Sequence, residues 1–321
     1  MILQAPRYAQ QSMVDPAGTK AALVDHFWHF LILTASVVTA IVFIALLVAL
    51  FKRHRPVEPE EPAVQQSLTR WVSAAVAMTA VIIVVFLFTD FRLGRAIATV
   101  PDRTPLHVNV IGHQWWWEFQ YPDSVPSNWI TTANELHIPV GRPVLLNMSS
   151  PDVIHSFWVP NLSGKKDLIP GHETETWMEA DSAGVYRGQC AEFCGLQHAK
   201  MALLVIAEPE EKFDQWVLAN RASAPEPADS TAKAGQQVFL TAGCAVCHAI
   251  GGTAAGATVG PNLTHLGLRQ SIAAASLPNN RGNLAGWILD PQGVKPGAMM
   301  PPNGLDPGQL NAILAYLEGL K

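Results

Sequence analysis

Two long stretches without a charged side chain constrain this chain more than any other feature. His26 to Phe51 holds 26 consecutive residues with no Asp, Glu, Lys or Arg, and Trp71 to Thr89 holds another 19. A helix needs roughly 20 apolar residues to cross the hydrocarbon core of a bilayer. The pattern therefore predicts two membrane-crossing helices, about 26–51 and 71–89, within residues 26–91. Either stretch alone would also suit a buried core helix; two in succession argue against it. The connecting loop carries Lys52, Arg53, Arg55 and Arg70. By the positive-inside rule that loop is cytoplasmic and both chain ends lie outside, although Arg92, Arg95 and Arg103 reduce the bias. The run RPVEPEEP (55–62) reads as solvated loop. Met1–Lys20 lacks the apolar core of a signal peptide, so residues 1–25 read as an extracytoplasmic N-terminal segment.

The remainder is of a different texture. With 49% hydrophobic and 15% charged residues the chain is neither disordered nor collagen-like. A net charge of −5 offers no basic face for nucleic acid. From residue 104 to 220, short apolar runs alternate with turn residues: LHVNVIG, ELHIPV, PVLLNM, HSFWVP, ETWMEA and ALLVIAE. Their spacing predicts an all-β sandwich or barrel, with helical periodicity resuming near Phe213. Residues 221–230 include ASAPEPADS, a stretch with nothing to bury, and read as a flexible linker. Residues 231–321 open with a helix-like segment. They close with Leu310, Ile313, Leu314 and Leu317, the i, i+3, i+4, i+7 stripe of a packed helix.

Four cysteines are too few for a disulfide scaffold. Two of them lie in CAEFCGLQHAKM, which places Cys190, Cys194, His198 and Met201 on one short stretch. Thiolate and thioether are soft ligands that favour copper, and imidazole suits it too. A mononuclear blue-copper site uses one Cys; a second thiolate lets two sulfurs bridge two coppers. Each copper then needs a histidine, and His155 in SSPDVIHSFWVP is the best candidate for the second. A Cys190–Cys194 disulfide is the plain alternative, but it requires neither the His nor the Met. Saturated ligation leaves no open position for substrate, which favours electron transfer over oxygen chemistry.

The other pair lies in GCAVCHAIGG. Cys244-x-x-Cys247-His248 is the attachment motif of a c-type haem, with His248 placed to bind the iron. VKPGAMMPP supplies Met300, or alternatively Met299, for the sixth position. With two cysteines on copper and two on haem, none remains for a structural disulfide. Residues 104–220 carry a formal −8 (6 Lys/Arg, 14 Asp/Glu) and residues 231–321 a formal +2 (5 and 3). Unlike signs would help the two modules dock, in which case transfer between them slows as salt rises.

These residues resemble subunit II of the haem-copper cytochrome c oxidases, here followed by a small cytochrome c, the caa-type arrangement. The resemblance runs through GHQWWWEFQYP (112–122), ELHIPVG (135–141), SSPDVIHSFWVP (149–160), KKDLIPG (165–171), the Cys190–Met201 loop and GPNL (260–263). It implies a membrane-anchored multidomain fold: a two-helix transmembrane hairpin, an all-β cupredoxin-like Greek-key barrel, and an all-α class I cytochrome c domain. It implies a binuclear copper centre, CuA, with Cys190 and Cys194 as bridging thiolates and His155 and His198 as terminal ligands. Met201 and the Glu192 carbonyl become weak ligands, and the Glu192 carboxylate reaches a magnesium ion shared with subunit I. Trp115 becomes the surface residue that receives electrons. Read by themselves, the three tryptophans also suit a membrane-interface belt or, in part, a core. His107, His113 and His137 read as structural. His172 stands where the family usually has Arg.

The implied partners are oxidase subunits I and III, a cytochrome c-like donor and membrane lipid, with no nucleic acid. The implied place is a bacterial-type inner membrane, with both redox domains on the periplasmic side. A nitric oxide reductase input subunit and a membrane-anchored copper chaperone are the competing readings.

Overall fold

The computed structural model describes residues 11–52 and 62–321. Arg53 and Arg55, most of the Pro-Glu run, and residues 1–10 lie outside the described residues. The chain divides into two compact units, one of residues 22–99 and one that joins the preceding segment to residues 100–321.

The first unit consists of two helices, α1 (Thr19–Phe51) and α2 (Pro62–Ala98), each long and apolar enough to cross a membrane. Their apolar residues are buried against nothing: Leu33, Phe43 and Leu47 on α1 and Val76, Ile83 and Leu87 on α2 are all exposed. A helix apolar on every side requires an apolar surrounding, here the bilayer. Phe30 and Phe86 meet edge to face, ring centroids 5.3 Å apart. Both helices run beyond the uncharged stretches. Freedom from charge marks the part that lies in hydrocarbon, whereas backbone hydrogen bonding continues through polar flanks such as AVQQSLTR.

In the second unit, ten strands build two five-stranded sheets. They are β1 (Leu106–His113), β2 (Trp116–Tyr121), β3 (Ile130–Ala133), β4 (Glu135–Pro139), β5 (Val144–Ser149), β6 (His155–Trp158), β7 (Lys166–Leu168), β8 (Thr174–Met178), β9 (Gly184–Cys190) and β10 (Ala202–Glu208). The sheet orders are β3-β2-β1-β5-β8 and β4-β10-β9-β6-β7; β1–β5 and β10–β4 pair parallel and the other neighbours antiparallel. Alternate residues point inward, as period-2 patterning requires. Val108, Val110, Trp117, Phe119, Leu136 and Leu146 thus join one core between the sheets. All six of the apolar runs read as strands are strands. β10 is buried on both faces, which explains its unbroken run ALLVIAE. Helix α3 (Glu210–Arg221) adds Phe213 to the core, and its Trp216 stacks on His137 at 4.3 Å.

The segment before α1 is bonded to this sandwich: Ala17 N–H donates to Asn161 O, and Asp181 N–H to Ala17 O, both at 2.8 Å.

The last part contains α4 (Ser230–Thr241), β11 (Ser271–Ile272), β12 (Leu277–Pro278), α5 (Arg281–Leu289), α6 (Pro291–Val294) and α7 (Pro307–Glu318). Asp229 caps α4, and Asp306 with Gln309 forms a capping box on α7. The two helices cross closely at Gly235, where an added Cβ would lie 2.0 Å from Ala312 O. Ile313, Leu314 and Leu317 fill the core with Phe239 and Leu284. One feature departs from the all-helical expectation: β11 and β12 form a short antiparallel ribbon. Its turn holds Ala273, Ala274 and Ala275 at positive φ (54°, 56° and 51°), a conformation that alanine-rich sequence does not announce. The expected linker is also partly tied down. Ala224 N–H donates to Gly251 O at 3.0 Å, and His265 Nε2 to Ala222 O at 3.1 Å.

Candidate metal centre and haem-attachment site

Three elements bring the sulfur ligands together. β9 ends on Cys190, β6 begins on His155, and the loop between β9 and β10 carries Cys194, His198 and Met201. The loop neck is closed by Cys190 N–H donating to Met201 O at 2.9 Å. The Sγ atoms of Cys190 and Cys194 and a ring nitrogen of His155 lie within 4.8 Å of one another. Each sulfur has its own imidazole: Cys190 Sγ is 3.9 Å from His155 Nδ1, and Cys194 Sγ is 3.6 Å from His198 Nδ1. Each also has a weaker donor, the Glu192 carbonyl oxygen at 3.1 Å from Cys190 and the Met201 sulfur at 3.8 Å from Cys194. His155, Cys190, Cys194 and Met201 are buried, and His198 partly so.

Cys190 and Cys194 are not joined to each other. Hydrogen bonding from Cys194, reinforced by His155 and opposed by burial, draws the Cys190 thiol well below its ordinary range. The same pairing, with burial, pushes Cys194 up. A buried pair that already favours one thiolate suits a soft cation. The donor set fits two coppers.

Asp152 was not foreseen as part of this site. Its carboxylate accepts from His155 Nε2 at 2.8 Å and from the backbone N–H groups of Gln114 and Val153, both at 2.6 Å. Burial opposes its ionisation, yet these bonds hold the carboxyl at about 2. In SSPD it reads as an ordinary turn residue; the signal was its position three residues before the histidine.

The Glu192 carboxylate is exposed and accepts from Phe193 N–H at 3.2 Å. His113 and His137 are engaged with Glu118 and Glu208 at 3.1 and 2.7 Å, and each stacks on a tryptophan. Exposed His172 donates its backbone N–H to Ile169 O.

Trp115 departs from expectation. It is not a surface residue: only 8% is exposed. Its indole Nε1–H donates to Cys194 O at 2.8 Å, and its own carbonyl accepts from Lys295 Nζ at 2.9 Å. It belongs to the core of the sandwich itself, with its ring beside Gly195 of the copper loop. Burial, with Lys200 nearby, lowers the Lys295 amine to about 7. The contacts between the modules run largely to backbone groups: Gln197 Nε2 to Pro296 O at 2.5 Å, Lys200 Nζ to Val294 O, and Ala202 N–H to Ala274 O at 3.2 Å.

In the C-terminal domain, Cys244, Cys247 and His248 follow α4. His248 Nδ1 donates to Pro261 O at 2.8 Å, which leaves Nε2 as the lone-pair nitrogen. An added Cβ on Gly260 would lie 2.8 Å from the imidazole, so the ring sits in a cradle only glycine permits. Both thiols are free. The residues fit a covalent haem c. Met299 is 79% exposed, whereas Met300 is half-buried and its carbonyl accepts from Gln292 Nε2 at 2.9 Å.

Fold and site together define an oxidoreductase subunit built for electron transfer. Residues 125–208 match the family model of the periplasmic domain of cytochrome c oxidase subunit II, and residues 232–321 match that of cytochrome c. Cytochrome c oxidase subunit 2 of Alkalihalophilus pseudofirmus is 36% identical over 96% of this chain and 90% of its own length. That of Bacillus sp. PS3 is 34% identical over 78% of this chain and 73% of its own. The periplasmic domain of subunit II of Bradyrhizobium japonicum cytochrome oxidase is 30% identical and covers 38% of this chain and 97% of that one, with a TM-score of 0.36. The chain belongs to the cytochrome c oxidase subunit 2 family, in the form that carries a fused cytochrome c domain. Membership implies CuA copper, haem c and partnership with subunit I of a haem-copper oxidase.

Proposed function

We propose that this chain is the electron-input subunit of a caa-type cytochrome c oxidase. The observation that carries the reading is the doubled donor set, in which each of two adjacent cysteines has its own Nδ1 imidazole and its own weak donor. Cys190, Cys194, His155, His198, Met201 and the Glu192 carbonyl would hold two coppers. Cys244 and Cys247 would hold the haem covalently, and His248 and Met300 would bind its iron. When bound, copper and haem would supply one-electron chemistry, and the subunit would pass electrons from a cytochrome c-like donor by way of haem c and CuA toward haem a of subunit I, the subunit that would reduce O2 to water with proton pumping.

The chain's own residues hold these ligands still. Asp152 fixes the His155 tautomer, Pro261 fixes that of His248, and the closed loop neck keeps the sulfurs in place. A rigid site needs little rearrangement when charge changes. Near-complete burial of Cys190, Cys194 and His155 does not suit a chaperone that must give its copper up. Exposed Glu192 is free to share a magnesium ion with subunit I. Subunit III and membrane lipid complete the surroundings, in a bacterial inner membrane with both redox domains outside the cytoplasm. The bonding of residues 15–17 to the sandwich supports that topology.

The test uses the assembled oxidase. Cys190→Ser should leave haem c reducible by the donor while oxygen consumption driven by that donor ceases. Turnover at the wild-type rate would refute the assignment.

A further inference from the structure

Two buried polar side chains, one from each redox module, find hydrogen-bond partners across the boundary between them. Lys295 follows α6 and is 3% exposed; its Nζ donates to Trp115 O at 2.9 Å and reaches Ala273 O at 3.5 Å. Glu135 opens β4, at the edge of its sheet, and is 2% exposed. Its carboxylate accepts from Ser271 N–H at 2.7 Å, Ser271 Oγ–H at 2.8 Å and Gln270 N–H at 3.1 Å. Burying a charge is unfavourable unless it is hydrogen-bonded. The bond of Lys295 to Trp115 and those of Glu135 to Gln270 and Ser271 all cross between the modules, whereas Ala273 belongs to the haem module itself.

Between the two points lies the strained alanine turn. Ala274 is 2% exposed, and its carbonyl accepts from Ala202 N–H, the residue after Met201. Consecutive left-handed alanines persist only where surroundings impose them. Here the β11–β12 ribbon frames the turn, and the copper module adds the bond from Ala202.

We propose that Lys295 and Glu135 are positioning residues, a two-point latch that holds the haem module against the copper module at the Trp115 carbonyl and at the β4 edge. The inference rests on the functional reading above. Held in this way, the haem module is a fixed donor: Lys295 touches Trp115, and Trp115 touches the carbonyl of Cys194. Trp115 itself, 8% exposed within the sandwich core, offers little surface to a soluble cytochrome. A soluble donor is left with the haem module, where Val246 within the attachment motif, Val259 beside Gly260, and Met299 stay exposed.

The test compares Lys295→Met, Glu135→Gln and the double variant in the full oxidase by amide hydrogen exchange and by flash-initiated haem-to-copper transfer. In the double variant, exchange over 271–276 and 195–202 should rise about tenfold or more, because exchange reports local opening. Transfer should slow by a comparable factor, with haem and copper spectra unchanged. Amides of α4 and α7 serve as the internal standard. No rise in the double variant, or a rise that extends equally to α4 and α7, overturns the latch. Absence of copper or haem signals in the wild-type protein would instead overturn the functional reading, while exchange alone still decides the latch.

Discussion

Asp152 Oδ1 accepts the hydrogen bond of His155 Nε2 at 2.8 Å, and this bond aims the other ring nitrogen at Cys190. An imidazole that donates through Nε2 presents its lone pair at Nδ1, so the carboxylate selects the tautomer able to bind metal. Asp152→Ala should lower copper affinity by about 10- to 100-fold, measured by competition with a chelator, and leave the haem spectrum unchanged. Affinity equal to wild type would show that the sandwich core alone orients the ring.

The crossing of α4 and α7 depends on a missing side chain. At Gly235 an added Cβ would meet Ala312 O at 2.0 Å and its carbonyl carbon at 2.5 Å, both backbone atoms with no rotamer to yield. Gly235→Ala should destabilise the haem module by about 1–3 kcal/mol or more, read as a lower melting temperature in the haem band, with the copper loop unaffected. An unchanged melt would mean that the helices separate at little cost.

His265 ties the start of the linker to the haem module. Burial lowers its pKa from 6.5, Arg269 adds to the effect, and the bond to Ala222 O opposes it. A histidine depressed in the folded state binds fewer protons there than when unfolded. Its contribution is therefore complete above pH 6.5 and is lost as pH falls below that value. Thermal melting of the haem module should drop between pH 7.5 and 5.5, and His265→Gln should flatten that portion of the slope. Identical slopes in the two proteins would contradict the assignment.

Much of this was legible in the residues. Period-2 alternation marks β1 and β5, charge-free length marks α1 and α2, and close spacing marks Cys190, Cys194, His198 and Met201, because each depends on neighbours in sequence. His155 was singled out as well, as the second imidazole that a two-copper reading needs, and its Nδ1 lies 3.9 Å from Cys190 Sγ. The latch was not. Lys295 and Trp115 stand 180 residues apart, and Glu135 and Ser271 stand 136 apart. A lysine before Pro296 and a glutamate opening a strand carry no local sign of burial. The surface place of Trp115 was implied by the resemblance alone; the alternation of the tryptophan triplet already allowed a core place, and Trp115 lies in the sandwich core. The ribbon of β11 and β12 escaped notice because SIAAASLP has the composition of a helix, and tertiary contact overrides that propensity.

The central claim is that two adjacent sulfurs hold two metal ions. Metal analysis of the purified full-length chain together with electron paramagnetic resonance addresses it directly. The account predicts two coppers for each covalent haem, with one unpaired electron shared equally over both copper nuclei, and loss of that signal but not of the haem in Cys190→Ser. A single copper per chain, or a disulfide joining Cys190 to Cys194 in the active protein, would contradict it.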